Sequence, residues 1–178
     1  MSVLYRLLSP TSLGEFSIVM RGEDEFGTRF FVHGEEVTPT PAGIEVDVDI
    51  DFRKFERIRP DYLQTTWGIP LFSKNFFDSA PAQLRDDIET IPAELHLRGG
   101  RSTYLAARTT KYLRLVDVDA SKFSNIRGIR ILTKPSFDPS AGDFLVARDR
   151  EFTRVFVASE SLVTAIKETN LRMEYWPY

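Results

Sequence analysis

Cysteine is absent from this chain of 178 residues, and histidine occurs only twice, at His33 and His96. The absence of cysteine excludes disulfides, thiolate nucleophiles and thiolate metal sites. Two isolated histidines are a weak basis for a zinc site, so we expect no metal and no cofactor. The sequence contains no Gly-x-Ser-x-Gly, no Gly-x-Gly-x-x-Gly and no phosphate-binding loop, so no catalytic residue is predicted.

Targeting segments and membrane spans are also missing. The first residues, Met-Ser-Val-Leu-Tyr-Arg, lack the basic start, long apolar run and cleavage site of a signal peptide. No apolar run approaches membrane-spanning length. The 42% of hydrophobic residues and the 14 Phe favour a packed core. We therefore expect a cytoplasmic protein without a membrane partner. It would form one domain over residues 1–178, or an acidic β lobe over 1–58 joined to an α+β lobe over 59–178.

Charge is unevenly distributed along the chain, although the net charge is only −3. Residues 1–52 contain ten Asp and Glu against three Arg, and residues 53–178 contain sixteen acidic against twenty basic residues. An acidic N-terminal region disfavours nucleic-acid binding there and suits a basic partner. The alternative is that the acidic surface only keeps the protein soluble.

The clearest local pattern runs from Ile44 to Phe52, where apolar residues alternate with four acidic residues, Glu45, Asp47, Asp49 and Asp51. A period of two places all the carboxylates on one face of a strand and the apolar residues on the other. A flat strand offers no enclosing loop for a cation. The acidic face is therefore either simply solvated or a surface for a protein partner.

The remaining pattern predicts an α+β fold, with a mostly antiparallel sheet, two or three short helices and a C-terminal strand-helix-strand. Further strands are predicted at 3–8, 16–20, 28–32, 93–97, 102–107, 111–118, 127–133, 144–147, 155–157 and 171–176. Short helices are predicted from Pro60, from an N-cap at Ser73 to Pro81, and from an N-cap at Ser159 to about Thr169.

An aromatic stretch with two prolines, Pro60 and Pro70, follows the acidic strand. Its aromatic residues are Tyr62, Trp67, Phe72, Phe76 and Phe77. Such a stretch is more often core beneath a loop, but aromatic side chains also anchor interfaces. Tyr62 and Trp67 are therefore candidate partner-binding residues beside the acidic strand.

The order of motifs from residue 60 to 176 resembles immunity family eleven of the bacterial polymorphic-toxin systems. The motifs, in order, are Pro60-Asp-Tyr-Leu63, Pro70-Leu-Phe-Ser73, Ile91-Pro92-Ala-Glu-Leu95, Tyr112 to Ser121, Asp143 to Arg148 and Val155 to Glu160. The resemblance covers about two thirds of the chain. A glycine usual near the closing strand of that family is replaced here by Asn170-Leu-Arg.

The resemblance implies a non-enzymatic, cytoplasmic protein that binds and neutralises a cognate toxin, and it maps no catalytic residue onto this chain. Combined with the charge distribution, it predicts a toxin with a basic surface. Two alternatives remain open. One is a small-ligand-binding or regulatory domain with a pocket near Trp67 and Arg148. The other is a hydrolase that uses Asp47, Asp49, or Asp117 with Asp119.

Overall fold

A computed structural model describes residues 3–138, 140 and 142–178, with the backbone alone for residues 23–25. These residues contain thirteen strands, many of them short, and four short α-helices. The α+β class and the mostly antiparallel pairing predicted from the sequence are confirmed. None of the helices in the described part of the chain is both long enough and apolar enough to span a membrane.

The strands are β1 (Leu4–Leu8), β2 (Ile18–Met20), β3 (Ile44–Asp51), β4 (Tyr62–Gln64), β5 (Pro70–Phe72), β6 (Ile88–Arg98), β7 (Gly100–Thr109), β8 (Tyr112–Leu113), β9 (Lys122–Ile126), β10 (Ile129–Lys134), β11 (Val146–Asp149), β12 (Phe156–Ser159) and β13 (Glu174–Pro177). The α-helices are α1 (Phe52–Ile58), α2 (Lys74–Ser79), α3 (Leu84–Asp87) and α4 (Glu160–Ile166). A 3-10 helix covers Thr11–Leu13, and a π-helix covers Glu23–Val32.

The strands form three sheets. The large sheet has the order β2-β3-β6-β7-β5-β4, the small sheet has the order β13-β1-β12-β11-β8, and β9 and β10 pair as a separate hairpin. All neighbours are antiparallel except β3 with β6 and β8 with β11. Both larger sheets therefore combine strands from residues 1–58 with strands from residues 59–178.

The large sheet is buried on both faces at its β5–β4 end and where β6 begins and β7 ends. At the β5–β4 end, Leu63 and Leu71 enter one core, whereas Tyr62 and Phe72 enter a second core on the opposite face. Ile88 at the start of β6 and Ala107 near the end of β7 also lie in the second core. The first core also holds the apolar residues of β3 and the phenylalanines of the π-helix. The second core lies between the two larger sheets and includes α2 and α4. The opposite end of the large sheet therefore has one face that the small sheet does not cover.

Two helix starts match their predicted N-caps. The Ser73 hydroxyl accepts a hydrogen bond from the Phe76 amide at 3.1 Å, and the Ser159 hydroxyl accepts one from the Leu162 amide at 3.2 Å. Each bond satisfies an amide that has no partner within its own helix. The hairpin predicted around Gly99 is also present as β6 and β7, with Gly99 at φ 88°.

Two sequence predictions are wrong between residues 28 and 63. The predicted strand 28–32 is the second half of the π-helix, in which Phe30 packs on Phe31 with ring centroids 5.0 Å apart. A short apolar run is compatible with either a buried strand or a buried helix, so periodicity could not separate them. The helix predicted from Pro60 is instead an extended entry into β4, which pairs with β5.

The strand predicted at 111–118 shrinks to Tyr112–Leu113. Beyond it, the amides of Leu115 and Val116 donate to one carboxylate oxygen of Asp149, each at 2.8 Å. The other carboxylate oxygen accepts from the amides of Glu151 and Phe152, at 2.8 and 2.7 Å. A buried aspartate thus replaces a neighbouring strand as the acceptor for the amides of Leu115 and Val116, and the segment retains an isolated β-bridge between Val116 and Phe137.

Candidate binding surface

The uncovered face of the large sheet is formed by β3, β6 and β7. The inward side chains of these strands, such as Val46, Leu95 and Ala93, lie in the first core. Their outward neighbours are in register across the three strands. We call this outward surface the ladder face; it consists of Glu45, Asp47, Asp49, Glu94, His96, Arg98, Arg101 and Thr103, with Arg21 at its edge beside β2.

Arg21 occupies the acidic side of the ladder face. Its Nη2 and Nε donate to the two carboxylate oxygens of Asp47 at 2.8 and 3.0 Å, and its Nη1 pairs with Glu45. These hydrogen bonds hold the pKa of the Asp47 carboxyl below its usual value. Since all three side chains are about half exposed, solvent screens these ion pairs and they contribute little to stability.

Two more arginines pair with the same face. Arg98 Nε lies 3.5 Å from an oxygen of Asp49, and Arg101 Nη1 donates to Glu94 at 2.9 Å. Together with Arg21, they set three guanidinium groups against four carboxylates. The acidic strand is therefore not the unopposed acidic patch that the N-terminal composition predicted. The compensating charges come from the residue that follows β2 and from β6 and β7.

His96 fills the space between two carboxylates of the ladder face. Its Nε2 lies 3.3 Å from Glu45 Oε2 and 3.2 Å from Glu94 Oε1, although neither contact has the alignment of a hydrogen bond. The side chain is only 18% exposed. The described residues bring together no set of three His, Asp or Glu side chains that could hold a metal ion.

Asp51 has a structural role at the end of β3. Its carboxylate accepts from the Lys54 amide at 3.1 Å and so caps helix α1. The register of β3 against β6 shifts between Val48 and Asp51. Asp51 is exposed, but it belongs to the helix start rather than to the regular ladder.

The two aromatic candidates lie apart from the ladder face and from each other. Tyr62 is 1% exposed and packs on Phe72 with ring centroids 5.2 Å apart, so its side chain is not accessible to a partner. Trp67 is 39% exposed, in the turn between β4 and β5, with the Arg154 guanidinium 4.8 Å above its ring. Strands β6 and β7 separate this edge of the sheet from β3.

Arg148 occupies the region in which the sequence suggested a ligand pocket. It is fully buried, and it donates to the carbonyl oxygens of Thr153 at 2.7 Å and of Gly68 at 2.6 Å. Burial lowers the pKa of its guanidinium to about 10, so it remains charged at neutral pH. The bond to Gly68 connects β11 to the turn that carries Trp67, which makes Arg148 a link between the two larger sheets.

The aspartates of the hydrolase alternative are engaged elsewhere. The Asp117 carboxylate accepts from the amides of Asp119 and Ala120, at 3.0 and 3.1 Å, and closes a surface turn. Asp47 is held by Arg21 on a different sheet face. These carboxylates do not converge on a common cleft.

An apolar hollow borders the ladder face, and sequence reasoning missed it. It encloses about 630 Å³ between α2 and the large sheet. It is lined by Lys74, Phe77, Asp78, Arg85, Ile88, Thr90, Thr103, Tyr104 and Leu105. In the sequence, Leu105 could have indicated the hollow. It shares the outward face of β7 with Arg101 and Thr103, and a solvent-exposed strand would carry a third polar residue at that position.

Comparison with known proteins adds no relative. No protein-family model matches this chain, and no curated protein sequence matches it significantly. The resemblance of residues 60–176 to immunity family eleven therefore stays a prediction.

Proposed function

We propose that this protein is a non-catalytic immunity protein that binds a cognate bacterial toxin in the cytoplasm and neutralises it by one-to-one association. The observation that carries the proposal is the ladder face with its adjoining hollow. It is a broad, flat array of polar side chains on three neighbouring strands, beside one apolar depression. Protein interfaces combine an apolar anchor pocket with a polar surround in the same way.

Binding accounts for this surface better than catalysis does. An active site needs a nucleophile, a base and a stabilising donor that converge on one reacting atom. On the ladder face, the carboxylates of Glu45, Asp47 and Glu94 are instead spread along strands and paired with arginines. Paired groups on rigid strands present a fixed pattern of charge, which favours selection among partners more than affinity.

The partner surface is proposed to be basic where it faces β3, with an apolar side chain entering the hollow. The ladder face carries four carboxylates and three arginines, so its formal charge is about −1 with His96 neutral. Long-range electrostatic attraction of a basic partner to this face should therefore be weaker than the acidic composition of residues 1–52 indicated. Specificity would come from local pairing and from the hollow.

A small-ligand-binding function is the second candidate. The hollow of about 630 Å³ has the size of pockets that hold small molecules, which enclose about 300–1,000 Å³. Its rim carries Lys74, which pairs with Asp78, and Arg85, whose guanidinium would suit a ligand with an apolar body and one anionic end. This reading predicts saturable binding at the hollow without any protein partner.

The test requires a secreted effector encoded by a neighbouring gene, and it measures the protection of cells that express the toxin domain of that effector. Wild-type protein should restore growth. Leu105→Arg, which would place a charged chain in the hollow, and the triple variant E45Q/D47N/D49N should both protect less. The triple variant D119N/E151Q/E168Q is the matched control, because it removes three exposed carboxylates outside the ladder face. Full protection by both Leu105→Arg and E45Q/D47N/D49N would place the interface elsewhere, and no protection by the wild type would refute the proposal.

A further inference from the structure

The hairpin of β9 and β10 stands apart from the two larger sheets. Its two-residue turn has Arg127 at φ 52° and Gly128 at φ 83°, the left-handed pair that tight hairpins require. Among the described residues, β10 pairs with β9 alone and with no strand of another sheet. Alternate residues of β10 therefore direct free amide and carbonyl groups outward along its second edge.

The charge of this hairpin opposes that of the whole chain. Residues 122–134 contain four cations, Lys122, Arg127, Arg130 and Lys134, and no acidic residue, although the protein has a net charge of −3. None of the four forms an ion pair within the described residues. Arg130 stacks on Phe123 with its guanidinium carbon 3.7 Å from the ring centroid.

One face of the hairpin is apolar and uncovered. Ile126 lies opposite Ile129, and Ile131 shares their face, with exposed fractions of 54%, 67% and 41%. The opposite face turns towards the body of the protein. On that side Phe123 packs on Phe152 at 5.7 Å between ring centroids, and Leu132 lines a hollow of about 240 Å³.

The hollow beneath Leu132 adds two further cations near the C-terminal end of β10. Arg6 and Arg154 line it, together with Tyr178 and Gln64, and its lining includes no acidic side chain. A strand added to the free edge of β10 would thus have two different environments. Its side chains on one face would meet Ile129 and Ile131, and those on the other face would meet Arg130 and the two arginines of the hollow.

We propose that the free edge of β10 binds an extended segment of another protein, in which apolar residues alternate with acidic residues, as a third strand of the hairpin. Main-chain hydrogen bonds to β10 would supply affinity. The apolar face and the basic face of the hairpin would select a segment in which apolar and acidic residues alternate. Charge complementarity identifies the occupant as acidic. A second copy of this chain is disfavoured, because a two-fold contact would bring four cations against four. The proposal stands apart from toxin binding at the ladder face, since it concerns different residues.

Nucleic acid and anionic membrane suit this surface less well. A phosphate backbone would place polar groups against the three isoleucines. Phe123, the aromatic residue of the hairpin, could not stack on a base, because Arg130 covers its ring. Proteins that lie on membranes commonly present Trp, Phe or Leu beside their cations. Here the aromatic ring faces the body and only the isoleucines face outward.

The probe is a fluorescein-labelled peptide of alternating Glu and Val, titrated with the full chain and followed by anisotropy. Wild-type protein should bind it with an affinity that falls as salt is added. Because attraction becomes repulsion at two sites, R130E/K134E should weaken binding by about tenfold or more. I129T/I131T, which keeps β-branched side chains but removes apolar area, should also weaken it by about tenfold. R53E/R57E, which reverses two exposed cations on α1, is the matched control and should bind within about twofold of the wild type.

A peptide with N-methyl groups at alternate residues tests strand addition without altering the protein. It should lose at least about tenfold in affinity, because it cannot form the main-chain bonds to β10. Equal binding of the methylated peptide would overturn the proposal, as would equal binding by R130E/K134E. Absence of peptide binding, with hairpin-dependent binding to phosphatidylserine vesicles or to duplex DNA instead, would also overturn it. A wild-type dimer that I129T/I131T converts to a monomer would have the same consequence.

Discussion

The carboxylate of Asp149 should be among the polar groups whose replacement costs the most stability. It is buried and accepts four backbone hydrogen bonds, from Leu115, Val116, Glu151 and Phe152, at 2.7 to 2.8 Å. Asp149→Asn keeps the shape but replaces one oxygen with an amide group that donates. Two of the four backbone amides would then face a donor instead of an acceptor.

The size of the loss follows from these two amides. A buried donor left without its acceptor costs about 1–3 kcal/mol, so D149N should lower the free energy of unfolding by about 2–6 kcal/mol. That is a large part of the roughly 5–15 kcal/mol by which a domain is stable. The D149N variant would carry no buried charge at this position, but this gain offsets little of the loss, because the four amides already stabilise the charged carboxylate in the wild type.

Urea unfolding followed by tryptophan fluorescence and circular dichroism measures the loss. With an m-value of about 2 kcal/mol per M, a loss of 4 kcal/mol lowers the midpoint by about 2 M. Asp117→Asn is the matched control. Asp117 also accepts two backbone amides, but it is exposed and water can replace it, so the loss should stay below about 1 kcal/mol. A D149N midpoint within about 0.5 M of the wild type would refute the role assigned to Asp149.

Other consequences concern alkaline pH and the helix caps. Burial raises the pKa of Tyr104 and Tyr62 above the ordinary value of 10.0, so the stability they support is complete below pH 10 and is lost as pH rises towards their folded values. Tyr104→Phe should cost about 1 kcal/mol at pH 8, because the hydroxyl donates to the Pro60 carbonyl, yet it should flatten the decline in urea midpoint from pH 9 to 11. An unchanged slope would show that Tyr104 does not titrate on unfolding. Ser73→Ala and Ser159→Ala should each lower the free energy of unfolding by about 1 kcal/mol, measured by the same urea titration, with Ser161→Ala on the exposed side of α4 as the control.

Local chemistry predicted the parts of the fold that depend on neighbouring residues. Alternation identified β3, two adjacent glycines identified the hairpin of β6 and β7, and serines identified the starts of α2 and α4. The predictions that were wrong concern residues whose structure depends on partners far away in the sequence. Leu115 and Val116 form no strand because the Asp149 carboxylate takes their amides, and nothing near residue 115 indicates this.

The candidate surface was predicted in part. The sequence placed Glu45, Asp47 and Asp49 on one outward face, where the structure has them. It could not reveal that Arg21 and Arg98 pair with these three carboxylates, because that pairing depends on the order β2-β3-β6 in the sheet. Tyr62 and Trp67 are five residues apart in sequence, but one is buried between the sheets and the other is exposed.

The central claim is that this protein acts by binding a toxin through the ladder face and its hollow. If a neighbouring gene encodes a secreted effector, isothermal titration of its purified toxin domain tests the claim most directly, with the toxin's own activity measured on the same samples. The account predicts one-to-one binding with a Kd of about 10 nM or tighter and loss of toxin activity at equimolar ratio, both weakened by at least about tenfold in Leu105→Arg. Absence of binding, or inhibition that persists at substoichiometric amounts because the toxin is modified by turnover, would contradict it.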